Sequence, residues 1–161
     1  MRLEPLGKMT MRYLHGSWVR PNAAKEALGY GDGEGRLTGE VNGSVAWANY
    51  PRRREDGVWT PNVRGVIKTD DGAEILLSLH GQSIAERAPG EMRSILARVE
   101  LTTEAPAYRW LNTCFLVGEG EIDEERDDVW IMTYVCVHDD VAGPPAIGEE
   151  PPERFRPRGR A

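Results

Sequence analysis

Residues Asn49–Leu77 read NYPRRREDGVWTPNVRGVIKTDDGAEILL. Within this stretch Val63–Thr69 is rich in β-branched types and reads as a strand. Asp70-Asp71-Gly72 follows, and Glu74–His80 is the return strand. An Asp-Gly pair between two such runs is a tight hairpin signal, because it tolerates positive φ. A second stretch, Thr102–Glu121, reads TTEAPAYRWLNTCFLVGEGE and carries a turn followed by a strand, Tyr108–Val117.

Working outward, the same signals recur along the chain. Strands are expected at Met9–Val19, Gly35–Asn42, Gly43–Tyr50, Arg98–Thr103 and Val129–Val137. Helix signals are scarce. Asn22–Leu28 has an N-cap residue and a glycine stop, and Gly90–Leu96 has roughly helical apolar spacing. Each covers about two turns, too little to build a helical domain. About eight short strands with one or two short helices predict an all-β fold. A closed, mostly antiparallel barrel is preferred over a sandwich, because closure leaves no exposed strand edge.

The barrel domain is expected over residues 1–140. Residues 141–161 carry five prolines and several arginines with almost no aliphatic residues, the composition of a mobile tail. The run Gly29-Tyr30-Gly31-Asp32-Gly33-Glu34-Gly35 opens no convincing helix and lacks a phosphate-binding Lys-Ser/Thr, so it reads as a flexible loop over the barrel mouth.

Composition excludes several function classes. The chain has 161 residues and a formal net charge of −6. Its one basic run, Arg52-Arg53-Arg54, is cut short by Glu55 and Asp56, which argues against nucleic acid as a partner. No stretch is apolar enough to suggest a membrane span, and the N-terminus lacks a signal-peptide core. Two cysteines make no disulfide framework, so a cytoplasmic protein is expected. His15, His80 and His138 are far apart, with no His-x-His or Cys-x-x-Cys. Neither a metal nor another cofactor is expected. No Gly-x-Ser-x-Gly elbow is present.

Period-two counting separates two faces. One is aliphatic: Val63 and Ile67; Ile75, Leu77 and Leu79; Val99 and Leu101; Leu111 and Phe115; Val129, Ile131 and Val135. The other is mixed: Arg64; Ser78 and His80; Arg98 and Glu100; Tyr108, Trp110, Asn112 and Cys114; Trp130, Met132 and Tyr134. Aromatic, sulfur and polar groups in register suggest the lining of a small-molecule cavity. On that reading the aliphatic face needs cover from a second subunit, so a homo-oligomer, a dimer or trimer, is expected. In the alternative the aliphatic face fills a narrow barrel and the mixed face lies outside.

Several segments together carry a family resemblance. They are Gly35-Arg36-Leu37-Thr38-Gly39, Thr69-Asp70-Asp71-Gly72-Ala73, Gly81, Thr103 with Ala105-Pro106-Ala107-Tyr108, Trp110-Leu111-Asn112, and Val117-Gly118 with Gly120. This pattern, from Gly35 to Tyr134, resembles the domain of unknown function 3237 family. The insertion Tyr50–Asn62 and the C-terminal tail are not part of it. The resemblance implies a small closed β-barrel similar in architecture to allene oxide cyclases and dirigent proteins. Those are cofactor-free proteins that hold a reactive small molecule in the barrel and direct its cyclisation or coupling.

Acid–base chemistry needs a base and a donor to a developing oxyanion. His80 and Glu100 are the candidate bases. Tyr134 joins them as a catalytic candidate, and Arg64, Trp110, Asn112 and Tyr108 are the candidate substrate contacts. Arg98–Glu100 also reads as an ordinary surface ion pair, His80 as a turn residue, and Tyr108 as a structural corner. Two function classes remain. One is a cofactor-independent isomerase, cyclase or lyase acting on a hydrophobic oxygenated metabolite. The other is a non-catalytic carrier of such a compound.

Overall fold

The structure, a computed structural model, describes residues 2–21, 26–85, 92–123 and 125–137. Among the described residues ten strands run in chain order: β1 (Arg2–Val19), β2 (Ala27–Gly39), β3 (Gly43–Asn49), β4 (Arg52–Arg53), β5 (Trp59–Thr60), β6 (Asn62–Thr69), β7 (Glu74–Ala85), β8 (Arg93–Thr102), β9 (Leu116–Asp123) and β10 (Asp128–Val137). A short 3-10 helix, Pro106–Thr113, lies between β8 and β9.

Eight of these strands close an antiparallel barrel. The ladder runs β1–β2–β3–β6–β7–β8–β9–β10 and returns to β1. The two-residue strands β4 and β5 stand apart from the wall. They pair with each other, and they bridge Ala27–Leu28 of β2 to Ser83 of β7 across one end of the barrel. The insertion Tyr50–Asn62 therefore builds a strap over that opening.

The aliphatic face is the interior. Val45, Ile67, Ile75, Leu77, Leu79, Val99, Leu101, Leu116 and Ile131 are all at most 3% exposed. An eight-stranded barrel is just wide enough for side chains to fill, so its interior takes the aliphatic rows and no long channel remains. The cavity reading of the mixed face is corrected on this point: Arg64, His80, Arg98, Glu100 and Trp110 are exposed on the outside. Phe115, placed with the aliphatic set by alternation, is also outside and half exposed.

Three local expectations change. Tyr108–Thr113 is not strand. Pro106 near the start lacks an N–H to give to a ladder, and the segment coils into the 3-10 helix, with Leu111 driven into the core at 1% exposed. Ala27–Leu28 and Arg93–Leu96 belong to β2 and β8 rather than to helices, because their backbone groups are taken by neighbouring strands. The remainder of those two segments, residues 22–25 and 90–91, lies outside the described residues, as does the tail.

The glycine-rich run is strand as well. On the inward side of β2, Gly29, Gly31 and Gly33 each lie against an aromatic ring. A Cβ at Gly29 would come within 2.1 Å of the Trp18 ring, at Gly31 within 2.6 Å of Tyr13, and at Gly33 within 2.6 Å of Trp47. Alternate glycines clear a bed for three rings, which a loop reading of the same composition misses.

Candidate functional site at the barrel mouth

The two ends of the barrel differ. One end is plugged by the 3-10 helix, Leu6 and Val41, all packed into the core through buried side chains. The other end lies beneath the β4–β5 strap and holds a cavity of about 390 Å³. A cavity of this size accommodates a small organic ligand.

The cavity forms where the inward rows of the strands stop being aliphatic. Met9 and Met11 on β1 give way to Tyr13. Val45 and Trp47 on β3 give way to Asn49. Leu77 and Leu79 on β7 lead through Gly81 to Ser83, and on β8 the row Val99, Ala97, Ile95 ends at Arg93. Tyr13, Asn49, Ser83 and Arg93 all line the cavity, with Trp18, Trp59, Pro51, Pro61 and Ile122 as apolar walls.

Hydrogen bonds fix part of this set. The Asn49 amide donates to the Tyr13 hydroxyl at 2.9 Å and its carbonyl accepts from the Asn62 N–H at 2.9 Å. The Tyr13 oxygen is thus an acceptor in that bond, and its own proton has no acceptor among the described residues. Ser83 Oγ is likewise buried with no partner among them. Burying a hydroxyl without a partner is costly, so such a group on a cavity wall marks a place for a ligand or water. Thr133 Oγ1 shares the condition but sits in the packed interior, away from the cavity.

Electrostatics keep Tyr13 a donor. Burial pushes its phenol above the ordinary tyrosine value and the Asp127 charge adds to this, while the Asn49 bond and the Arg93 charge act the other way. The Arg93 guanidinium lies 4.8 Å over the Trp59 ring, and Trp59 meets Trp18 edge to face at 4.8 Å. Two carboxylates complete the lining. Asp123 accepts from the backbone N–H groups of Glu125 and Arg126 and sits 3.6 Å from the Arg126 guanidinium. Asp127 occupies the β9–β10 turn at a positive φ of 57°, and its carbonyl accepts from the Tyr13 N–H. Its carboxylate has no partner among the described residues.

A His–Asp–Tyr group lies on the rim. His15 Nδ1 is 2.8 Å from Asp32, and Tyr30 donates to Asp32 at 2.6 Å. These bonds hold the Asp32 carboxyl below its usual range and raise the Tyr30 phenol. The His15 side chain is 76% exposed, so this group faces solvent more than the cavity.

None of the seven residues singled out from the sequence lines the mouth cavity. Arg64 and His80 do come together on the outer wall: Arg64 donates to Ser78, and its Nη1 contacts His80 Nε2. Glu100 stands beside them, ion-paired with Arg98 at 2.7 Å. Tyr134 is on the outer wall of β10 and donates to Glu119 at 2.8 Å. Tyr108, Trp110 and Asn112 are at the plugged end. Tyr108 donates to Asp71 of the hairpin turn, which is the corner role considered for it. Asn112 accepts from the Thr103 N–H and donates to the Thr103 carbonyl, both at 2.9 Å. The expected meeting of Asn112 and Tyr134 at one ligand oxygen does not occur, because strand counting does not carry through the 3-10 helix. Tyr13, Asn49, Ser83 and Arg93 were missed, although each continues the parity of an aliphatic row.

No group of three or more metal-ligating side chains occurs among the described residues, and none of their helices is long and apolar enough to cross a membrane.

A closed eight-stranded barrel with one plugged end and one polar, strapped mouth defines the class of the protein. The chain belongs to the family described as protein of unknown function (DUF3237), which it matches over residues 27–136. No curated protein matches it. Solved structures share the fold. A protein of unknown function from Clostridium acetobutylicum is 18% identical with a TM-score of 0.76, over 85% of this chain and 100% of that one. A β-barrel-like protein from Acinetobacter baumannii is 19% identical with a TM-score of 0.75, over 83% and 94%. An enzyme from Penicillium herquei is 19% identical with a TM-score of 0.63, over 83% and 92%. At this identity the likeness concerns the fold.

Proposed function

We propose that the protein is a small-molecule enzyme of isomerase, cyclase or lyase type, using its own acid and base groups on a hydrophobic oxygenated compound bound in the mouth cavity. The observation that carries this is the switch of four inward rows from aliphatic to polar where the barrel opens. A barrel built only to be packed gains nothing from an unpartnered buried hydroxyl there. In this reading Tyr13 donates to a substrate oxygen, with Asn49 fixing the phenol. Asp127 is the base, since Asp123 is already engaged by Arg126 and two backbone N–H groups. The enzyme from Penicillium herquei lends support at the level of fold.

The second reading is a carrier of the same compounds, and the Trp18–Trp59 wall favours it, since apolar walls alone suffice for carriage. Proton exchange separates the two. Candidate ligands are first found by movement of the Trp18 and Trp59 indole signals, then incubated with protein in deuterated water. An enzyme of this kind exchanges an acidic C–H of its ligand for deuterium, and Asp127→Asn abolishes the exchange. Tight binding with no exchange in any ligand refutes catalysis and leaves the carrier.

Self-association belongs to the same proposal, although its original motive is gone, since the aliphatic face is the core. The outer wall itself exposes Leu3, Leu96 and Phe115, each at least half exposed. Light scattering at micromolar concentration is expected to exceed the 18 kDa of one chain, and a monomer refutes it.

A further inference from the structure

Building on the mouth as the working site, we infer that its ligand is a planar, conjugated, neutral carbonyl compound. Its rings lie against Trp18 and Tyr13, beside the Trp59 ring that Arg93 covers, and its carbonyl oxygen takes the Tyr13 and Ser83 hydroxyl protons.

The shape of the wall argues for planarity. Gly29 and Gly31 leave no side-chain relief on β2, and the rings of Trp18 and Tyr13 occupy that bare surface. Trp59 stands at 73° to Trp18, with Pro51 and Pro61 nearby. Ring faces and prolines make smooth walls, which favour a flat ligand that stacks. Tyr13 is itself held edge-on to Trp47 at 4.5 Å, so the wall cannot easily collapse into the cavity.

The polar groups argue for an acceptor. Two hydroxyls on one cavity, Tyr13 and Ser83, have a proton to give and nothing among the described residues to take it. A carbonyl oxygen carries two lone pairs and can accept both. The charges argue for neutrality. Asp123 and Asp127 line the cavity against the one guanidinium of Arg93. A carboxylate ligand would meet the Asp127 charge, whereas that of Asp123 is already offset by Arg126. A cationic ligand would compete with Arg93 for the Trp59 face that Arg93 already covers.

The test compares 2-acetylnaphthalene with 2-ethylnaphthalene, which differ in the carbonyl, on the full chain. Binding is read by the indole N–H signals of Trp18 and Trp59. The ketone is expected to bind about tenfold more tightly or better, since a site built to donate hydrogen bonds rejects the analogue that cannot accept them. Its carbonyl stretching band moves to lower frequency on binding. Tyr13→Phe and Ser83→Ala each shrink the preference for the ketone over the hydrocarbon. Ser83→Ala removes only an unpartnered hydroxyl, so it folds normally and keeps the test sound if Tyr13→Phe does not. Equal affinities, or an unshifted carbonyl band, overturn the carbonyl. Cyclohexyl methyl ketone binding as tightly as the aryl ketone overturns planarity. If the hydrocarbon alone moves the two indoles, the mouth site stands and this inference falls. If neither probe moves them, the mouth site falls and takes this inference with it.

Discussion

The two ends of this barrel are made from the same alternating strands but finish differently. At the plugged end the polar side chains of the 3-10 helix and the hairpin turn are engaged with backbone or with one another. Asn112 holds both polar groups of Thr103, and Tyr108 and Thr69 hold Asp71 in the hairpin turn. At the mouth Asn49 is spent, but Tyr13 keeps a proton to give and Ser83 is left over. The first arrangement is what stability selects. The second costs free energy unless something else occupies the space, and that difference is the ground for proposing the mouth as the working end.

The largest effect is expected from Leu111→Ala. The side chain is 1% exposed and plugs the closed end, so its loss should cost about 2–5 kcal/mol in urea unfolding. Ligand binding at the mouth should hold as long as the protein is folded. Gly31→Ala attacks the mouth instead. Its Cβ would sit 2.6 Å from the Tyr13 ring, and displacing that ring should cost about 1–3 kcal/mol and weaken binding as well. Asn112→Ala strands the buried backbone groups of Thr103. It should also cost about 1–3 kcal/mol, but with binding unchanged. Comparable stability losses, with binding weakened in Gly31→Ala and kept in Asn112→Ala, would sharpen the contrast between the ends, whereas loss of binding in Asn112→Ala would break it.

The ends should also respond to pH in opposite senses. Asp71 is held below its usual carboxyl range, first by Thr69 and then by Tyr108. Its contribution is present above the unfolded pKa and is lost as pH falls through the folded one. Tyr13 is raised, chiefly by burial. Its contribution is complete below the unfolded tyrosine pKa of about 10 and is lost as pH rises through the folded value. Thermal melts should therefore show an acid limb reduced by Asp71→Asn and an alkaline limb reduced by Tyr13→Phe. The smallest stability effect belongs to Ser83→Ala, expected within about 0.5 kcal/mol of the parent, because no bond is lost.

The fold was legible because its signals are local and repeated. The Asp70-Asp71-Gly72 turn, the alternation of Ile75, Leu77 and Leu79, and the short spacing between strands point to one architecture. The site was less legible, for two physical reasons. Alternation separates faces but does not say which face is inside, and the aromatic and polar groups of the mixed face imitate a cavity lining when they are only an amphipathic outer wall. Parity also fails at turns. Counting from Tyr108 through Asn112 assumed a strand, where Pro106 begins a 3-10 helix. The mouth residues did leave a trace. Tyr13, Asn49, Ser83 and Arg93 are polar residues at the ends of aliphatic rows, a place where a packed barrel has no use for them. The glycines at 29, 31 and 33 were visible too, but their spacing is explained by what lies beside them: rings at 29 and 31, and the Arg12 carbonyl with the Trp47 ring at 33.

The five tryptophans offer the most direct test of the claim that the mouth is the working end. Trp18, Trp47 and Trp59 surround the mouth, Trp110 sits at the plugged end, and Trp130 is on the outer wall. The indole N–H signals, assigned by single Trp→Phe replacements, are followed while 2-acetylnaphthalene is added. Saturable movement of Trp18 and Trp59, with Trp110 and Trp130 still, is the predicted result. Movement of Trp110 or Trp130 with Trp18 and Trp59 unchanged would place the ligand elsewhere and contradict the account.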